Sequence, residues 1–573
     1  MSEITFKKPV RAKRKFVAEN LAIRSFDDVR SYFGKLESQQ LTTADELLQW
    51  LNNRSELETV LQEHAGWLYI RMSCDTRDKI IRDAYTFFIN EIQPHVSVAS
   101  NRLNDKLLNS GLAQKVSDKR FRNYFRQVEN HHRIFREENV ALIAKLQTTE
   151  QQYAAIVGEM SITYKDKEYT MPAAANFLRN PDRNVREEIF SLIVNRRMQD
   201  TVKLNDLFSE LVKLRHSIAV NAGFANYRDY RFVELDRQYS VSDCEKFHDA
   251  ITKTIVPLCK KIDEERKRKL GYESLKPWDT EVDAELKPDL KPFADGVELE
   301  KKTVECFKAV NPKLQNAFSF LHELNRLDLD SRMGKAPGGY NYPLYETGVP
   351  FIFMNASGSL RDVVTLVHEG GHAFHSLLTH ELGFIGFKEF PSEVAELASM
   401  SMELITMGNW NVYFSSEEEL KRAKRTHLED ILKILPWIAL IDKFQHWIYT
   451  HPQHTSEERM TAWTELQKQF STGVADWNGF EDYKSAIWQK QLHLFEVPFY
   501  YIEYGIAQLG AIAVWKNFRE NPLAGLEKYL SALSLGYTAS MSEIYSTAGI
   551  RFDFSEEYIN ELSSFLTKEI SAL

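Results

Sequence analysis

Long stretches of the chain repeat their apolar residues at helical spacing and contain few breakers. Asp45 to Glu63, Val185 to Ala219 and Glu418 to Tyr449 all follow this pattern, which predicts amphipathic helices. Strand-like runs are scarce. The clearest is Val349-Pro350-Phe351-Ile352-Phe353-Met354, bounded by Gly348 and Gly358 and preceded by the turn-rich stretch Lys335 to Tyr345. A second loop-rich stretch runs from Leu275 to Val297, with prolines at 277, 288 and 292. The expected fold class is mainly α, with a small β-sheet. With 573 residues, 43% of them hydrophobic, the chain can bury a large core. The expected organisation is an N-terminal helical lobe over 1–200 and a second lobe over 201–573, with a soft boundary.

A net charge of −9 argues against binding nucleic acid, which needs a basic face. The basic run Lys7 to Lys15 reads as a solvated arm. Cys74, Cys244, Cys259 and Cys306 are sparse and lack C-x-x-C spacing, which fits a reducing compartment better than a disulfide framework. The first thirty residues carry charges throughout, and the most apolar stretch, Ile431 to Ile441, is about half a bilayer span. The expectation is a cytoplasmic protein with no membrane partner.

The segment SLRDVVTLVHEGGHAFHSLL begins at Ser359. Ser359 and Asp362 have capping-box spacing, and the apolar residues around them predict a buried helix. Residues four apart share a helical face, so His368 and His372 can aim two imidazoles at one ion. Glu369, one step round, can reach a water held there. This is the mechanical content of HExxH, a zinc motif. Burying these groups without metal or partners costs several kcal/mol. Gly370 and Gly371 in mid-helix cost roughly 1 kcal/mol each against alanine. Close approach of a substrate or another helix is a reason for a helix to accept that. His375 reads as a hydrogen-bonded structural histidine.

A catalytic zinc takes three protein ligands and leaves a position for water. The next predicted helix, PSEVAELASMSMEL from Pro391, supplies the third. Glu389, Glu393, Glu396 and Glu403 compete. Glu396 sits mid-helix among apolar neighbours, and a buried carboxylate needs a cation. Glu403 is two turns on and faces the same way, from where it can orient a ligating imidazole. Glu393 reads as a first-turn acid, and Glu389 is the main rival. Ala395 and Ser399 are small and share a face, so another helix can approach there.

HEGGHAFH at His368 to His375, followed by AELASMSME at Ala395 to Glu403, resembles the thimet-oligopeptidase and oligoendopeptidase F family of zinc peptidases, in its bacterial oligoendopeptidase branch. The family's E-x-x-S-x-x-x-E form matches Glu396, Ser399 and Glu403, and its first Glu completes the zinc site. The likeness runs from about residue 180 to the end. GGYNYPLYETGVPFIFMN looks like the family's glycine-rich loop and substrate-flanking edge strand. This implies substrate contacts at Gly338, Gly339, Tyr340, Phe351 and Phe353. HLFEVPFYYIEYGIAQLGA, from His493, looks like its substrate-binding segment. It implies catalytic roles for His493, Tyr501 and Tyr504 and a substrate contact at Tyr500. One departure is Gly370, where the family often has a larger residue.

The resemblance implies a multi-helix ellipsoid with a deep channel, one Zn2+ per chain and short unstructured peptides as substrates. The expected function is a zinc-dependent oligoendopeptidase with Glu369 as general base. The strand at 350–355 is expected to pair with an extended peptide through its backbone. The alternatives are a helical zinc carboxypeptidase and a non-enzymatic peptide-binding scaffold. The sequence says nothing of oligomeric state.

Overall fold

The computed structural model describes residues 5–573. The main helices, in chain order, are α1 (Ala44–Cys74), α2 (Arg183–Gln199), α3 (Thr201–Asn221), α4 (Val241–Leu270), α5 (Gly296–Val310), α6 (Leu360–Thr379), α7 (Ser392–Thr406), α8 (Glu417–Thr450), α9 (Tyr501–Glu520) and α10 (Pro522–Leu533). The periodic stretches became helices. That at Val185 to Ala219 is two, α2 and α3, parted at Asp200, whose φ of −102° and ψ of 5° leave the helical region. Among the described residues the strands are β1 (Ser161–Tyr164), β2 (Lys167–Thr170), β3 (Leu327–Asp330), β4 (Tyr340–Tyr342) and β5 (Phe351–Ala356). No helix among the described residues is long and apolar enough to cross a membrane. All four cysteines are unpaired thiols.

The chain forms two compact units, both discontinuous in sequence. The first takes residues up to Arg133, Lys291–Ala423 and Ala507–Phe552. The second takes Ile134–Leu290, Lys424–Ile506 and Asp553–Leu573. Residue 200 falls inside the second, between α2 and α3.

In the first unit, β5 is the middle strand of a three-stranded sheet ordered β3-β5-β4. It runs parallel to β3, with Leu327 opposite Ile352, and antiparallel to β4, with Tyr340 opposite Phe353. Both its edges are taken, so it cannot offer its backbone to a peptide as expected. The physical reason lies in its composition. A continuous apolar run marks a strand buried on both faces, and residues 351–354 are all buried. Phe351 and Phe353 belong to an apolar cluster with Ile70 and Leu344, and the Phe353 ring stacks on Tyr340 at 4.8 Å. Their side chains are core and do not face a substrate. The outer strands are β3 and β4, each paired only with β5 among the described residues.

Two devices hold the glycine-rich loop to the sheet. The buried Lys335 ammonium donates to Asp328 Oδ1 at 2.8 Å and to the carbonyls of Asp328, Asp330 and Met354, which pins the glycine-rich loop. The Asn355 side-chain amide donates to the carbonyls of Ala336 and Gly338, and Gly338 turns the loop at φ +97°. A chain reversal through Gly358 then starts α6. Ser359 Oγ accepts the Asp362 N–H, and Asp362 Oδ2 accepts the Ser359 N–H at 2.8 Å, the reciprocal cap read from the sequence.

Candidate metal centre

Helices α6 and α7 of the first unit touch backbone to side-chain position. A Cβ on Gly371 would lie 2.6 Å from the Ala398 carbonyl oxygen and 2.6 Å from Ser399 Cα. Gly371 is therefore glycine because α7 fills the space a side chain needs. Gly370 faces a different neighbour, the Phe307 ring of α5, whose Cζ would be 2.6 Å from a Cβ. The Tyr529 hydroxyl of α10 donates to the Ala398 carbonyl at 2.7 Å and fixes α7 at the same level.

This contact brings His368, His372 and Glu396 together. One donor atom from each lies within 4.8 Å of the others. His368 Nε2 is 3.4 Å, and His372 Nε2 3.9 Å, from Glu396 Oε2. The two imidazoles stand nearly perpendicular, with ring centroids 4.9 Å apart. Ser399 Oγ donates to Glu396 Oε2 at 3.2 Å and orients it. Glu403 Oε1 lies 2.6 Å from His368 Nδ1. A carboxylate only accepts, so Nδ1 carries the proton and Nε2 is left for the cluster.

The charges fit a cation. Burial pulls the His368 imidazole down, but hydrogen bonds to Glu396 and Glu403 outweigh it and hold its pKa well above the usual value. Two carboxylates thus favour positive charge at this ring, and a divalent ion at Nε2 would supply it. Burial, with His368 adding and Glu396 opposing, lowers His372 to about 4, the neutral form a metal ligand needs. Burial raises Glu396, yet His368 and His372 bring it below the ordinary carboxylate value. Two imidazole nitrogens and a carboxylate oxygen form the donor set of catalytic zinc.

Glu369 is buried beside the cluster, and among the described residues its Oε2 has no hydrogen-bond partner. Burial, helped by Glu396 and Glu403 and opposed by His368, lifts its pKa to about 7. Asn341 of β4 donates its side-chain amide to the Glu369 carbonyl at 3.2 Å, so this outer strand runs beside the acid. Asn341 was not singled out in the sequence, although it lies inside the glycine-rich segment.

The rival Glu389 stands apart from the cluster. Its Oε1 accepts from Gln62 at 2.7 Å, and burial raises its pKa to about 7. His375 departs from expectation. It is fully buried, neither ring nitrogen has a hydrogen-bond partner among the described residues, and its ring stacks on Phe390 at 3.7 Å. Burial takes its pKa down to about 3. It is an aromatic packing residue, because its face of α6 meets the Phe390 ring and no polar group.

In the second unit, His493 gathers Tyr500, Tyr501 and Tyr504, with ring centroids at 6.0, 4.8 and 5.9 Å. Its tautomer follows from its neighbours. Trp437 Nε1, a donor only, sits 2.9 Å from Gln491 Oε1. That turns Gln491 Nε2 toward His493 Nδ1, 2.7 Å away. Nδ1 accepts, and burial lowers the pKa to about 4, so the neutral ring presents an Nε2–H donor.

Comparison with known proteins places this arrangement. The chain is 25% identical over 350 residues to an oligoendopeptidase F homolog of Lactococcus lactis subsp. lactis (strain IL1403), covering 57% of this chain and 54% of that protein. It thus spans about half the length of that curated relative. A second, the oligoendopeptidase F homolog of Borreliella burgdorferi, is 22% identical over 532 residues, 88% of this chain and 87% of the relative. Among solved structures, a PZ peptidase A with an inhibitor superposes with a TM-score of 0.89 at 25% identity, covering 98% of this chain and 99% of its own. An oligoendopeptidase-F from Enterococcus faecium shares the fold at a TM-score of 0.63 and 16% identity, covering 96% of this chain and 97% of its own. The model of the peptidase M3 N-terminal domain matches residues 19–135, and that of peptidase family M3 matches 176–564. The second match takes in more than half the sequence, including His368, Glu369, His372 and Glu396, and the chain belongs to peptidase family M3.

Proposed function

We propose that this chain is a zinc-dependent oligoendopeptidase that cuts internal bonds of short, unstructured peptides. The carrying observation is the convergence of His368, His372 and Glu396 beside a buried carboxylate, Glu369, whose Oε2 has no partner. His368, His372 and Glu396 would hold one zinc ion, with Glu403 fixing the His368 tautomer from behind. When bound, zinc supplies Lewis acidity, which polarises a carbonyl and acidifies water. Glu369 takes the proton of the attacking water. Its raised pKa makes it a base strong enough for the task, and it then gives the proton to the leaving amine. The exposed edge of β4, carrying Tyr340 after Gly338 and Gly339, lines up an extended peptide by backbone hydrogen bonds that ignore side chains. His493, Tyr500, Tyr501 and Tyr504 are the N–H and O–H donors that the resemblance assigns to the substrate.

The test uses zinc-loaded protein and a mixed peptide library read by mass spectrometry. Internal cuts, abolished by phenanthroline and restored by zinc, are expected. Cutting of C-terminally amidated peptides separates this reading from a carboxypeptidase, which fails on them. Glu369→Gln should keep zinc and lose about 10²–10⁴ in kcat. Near-normal turnover in that variant overturns the assignment.

A further inference from the structure

A second set of side chains of metal-ligand type lies in the second unit, and it shares no residue with the cluster of His368, His372 and Glu396. Cys244 and His248 are four apart on α4, and Asp442 and His446 are four apart on α8. Each pair therefore shares one helical face, and the two faces meet. One donor atom each from Cys244, Asp442 and His446 lies within 4.8 Å of the others. Cys244 and Asp442 are completely buried and His248 is 1% exposed.

The hydrogen bonds leave this group unfinished. Asp442 Oδ2 takes His248 Nε2 at 2.8 Å and His446 Nε2 at 3.1 Å. Its other oxygen, Oδ1, has no hydrogen-bond partner among the described residues, and neither does His446 Nδ1. Buried polar atoms left unsatisfied are costly and need an explanation. Arg237, the guanidinium coupled to both Cys244 and Asp442, is ion-paired with Glu503 at 3.3 Å and donates to the Phe499 carbonyl. Glu503 balances its charge through Nη2 alone, and its Nε and Nη1 have no hydrogen-bond partner among the described residues.

We propose that Cys244, Asp442 and His446 form a structural site for a divalent ion of the zinc class, with His248 orienting Asp442. The donor set of sulfur, nitrogen and oxygen suits a borderline ion and disfavours magnesium or calcium. Charge balances. A thiolate, a carboxylate and a dipositive ion sum to zero in an interior where any excess charge is expensive, and binding releases the thiol proton. Ligands on a tetrahedral ion sit about 3.4–3.8 Å apart, given metal–ligand bonds of about 2.0–2.3 Å. Donor atoms already within 4.8 Å of one another reach that spacing by side-chain rotation. His248 acts as a positioning residue, since its Nε2 is spent on Asp442. The ion would tie α4 to α8 inside the unit.

Cobalt(II) reads this site separately from the one at His368, His372 and Glu396, because only a thiolate ligand gives a sulfur-to-cobalt charge-transfer band in the near ultraviolet. Metal-free full-length protein is titrated with cobalt, recording absorbance and bound metal. Two ions per chain and one thiolate band are expected. His372→Ala should keep the band and drop one ion. Cys244→Ser should lose the band and drop one ion. Cys74→Ser, which changes the half-buried thiol, should change neither. Should Cys244→Ser not fold, alkylation of the wild-type chain in mild denaturant replaces it. Zinc should slow labelling of Cys244 more than that of Cys259, further along α4, which reports only the general gain in stability. No thiolate band in the folded wild type, a band lost in Cys74→Ser, or zinc slowing the alkylation of Cys244 no more than that of Cys259 overturns the proposal. The His248–Asp442–His446 group is then a proton-bridged network without metal.

Discussion

At the scale of single residues, the two adjacent glycines of α6 make different predictions. The atoms that a Gly371 side chain would strike belong to the backbone of α7, which cannot step aside. Gly371→Ala should cost about 1–3 kcal/mol by overpacking and spread the helices that carry the histidines and Glu396. The denaturant midpoint and the zinc affinity should fall together. Gly370→Ala meets the end of the Phe307 ring, which can turn, so its loss should be smaller and zinc affinity should hold. The HExxH residues were legible because their spacing alone puts two imidazoles on one face. The rivalry between Glu389 and Glu396 was legible only in part, since both lie in acceptable sequence surroundings. What separates them is Gln62, more than three hundred residues away, holding Glu389 elsewhere. The behaviour of His375 was not legible. Its partner is the face of an aromatic ring, and no local pattern announces that.

At the scale of elements, helices were read well and strand roles were not. The expectation for Glu418 to Tyr449 missed each end of α8 by one residue, because periodicity is local. Whether β5 is central or at an edge depends on β3 and β4, which pair with it from outside its own segment. The unbroken apolar run was the available sign. If β4 supplies the pairing edge, N-methylation of single backbone amides in a substrate should slow cleavage at alternate positions. About 0.5–1.5 kcal/mol per lost hydrogen bond corresponds to roughly 2–12-fold in kcat/KM. Equal sensitivity at every position speaks against strand pairing. The β3 end of the sheet carries a pH dependence. Asp328 is raised by burial, but its bonds to Arg332 and Lys335 win and hold its pKa at about 2. The folded value lies below the unfolded one of about 3.9. The stabilisation is therefore complete above about pH 4 and is lost as pH falls toward 2. Asp328→Asn should remove this acid-range slope. It should cost about 3–5 kcal/mol near neutrality, because it leaves the Lys335 ammonium buried without its anion. Denaturation series at pH 7 and pH 3 measure both.

At the scale of the molecule, each unit is assembled from three separated stretches of chain. A scan for linkers finds no such division, since the pieces that pack together are not neighbours in sequence. If zinc is held at His368, His372 and Glu396 as proposed, ligands from two separate helices favour the folded form, and the ion should add about 2.7 kcal/mol of stability at a free concentration of 100 Kd. Chelation should lower the thermal midpoint by the matching amount, with amide exchange rising first in α6 and α7. Exchange rising evenly throughout the chain places the effect elsewhere.

The contact of Gly371 with Ala398 and Ser399 joins the two halves of the ligand set through packing alone. On the proposed zinc reading, the spacing of the ligands is then set by the protein interior. An ion held in this way should be exchangeable for cobalt or manganese by dialysis of the folded chain.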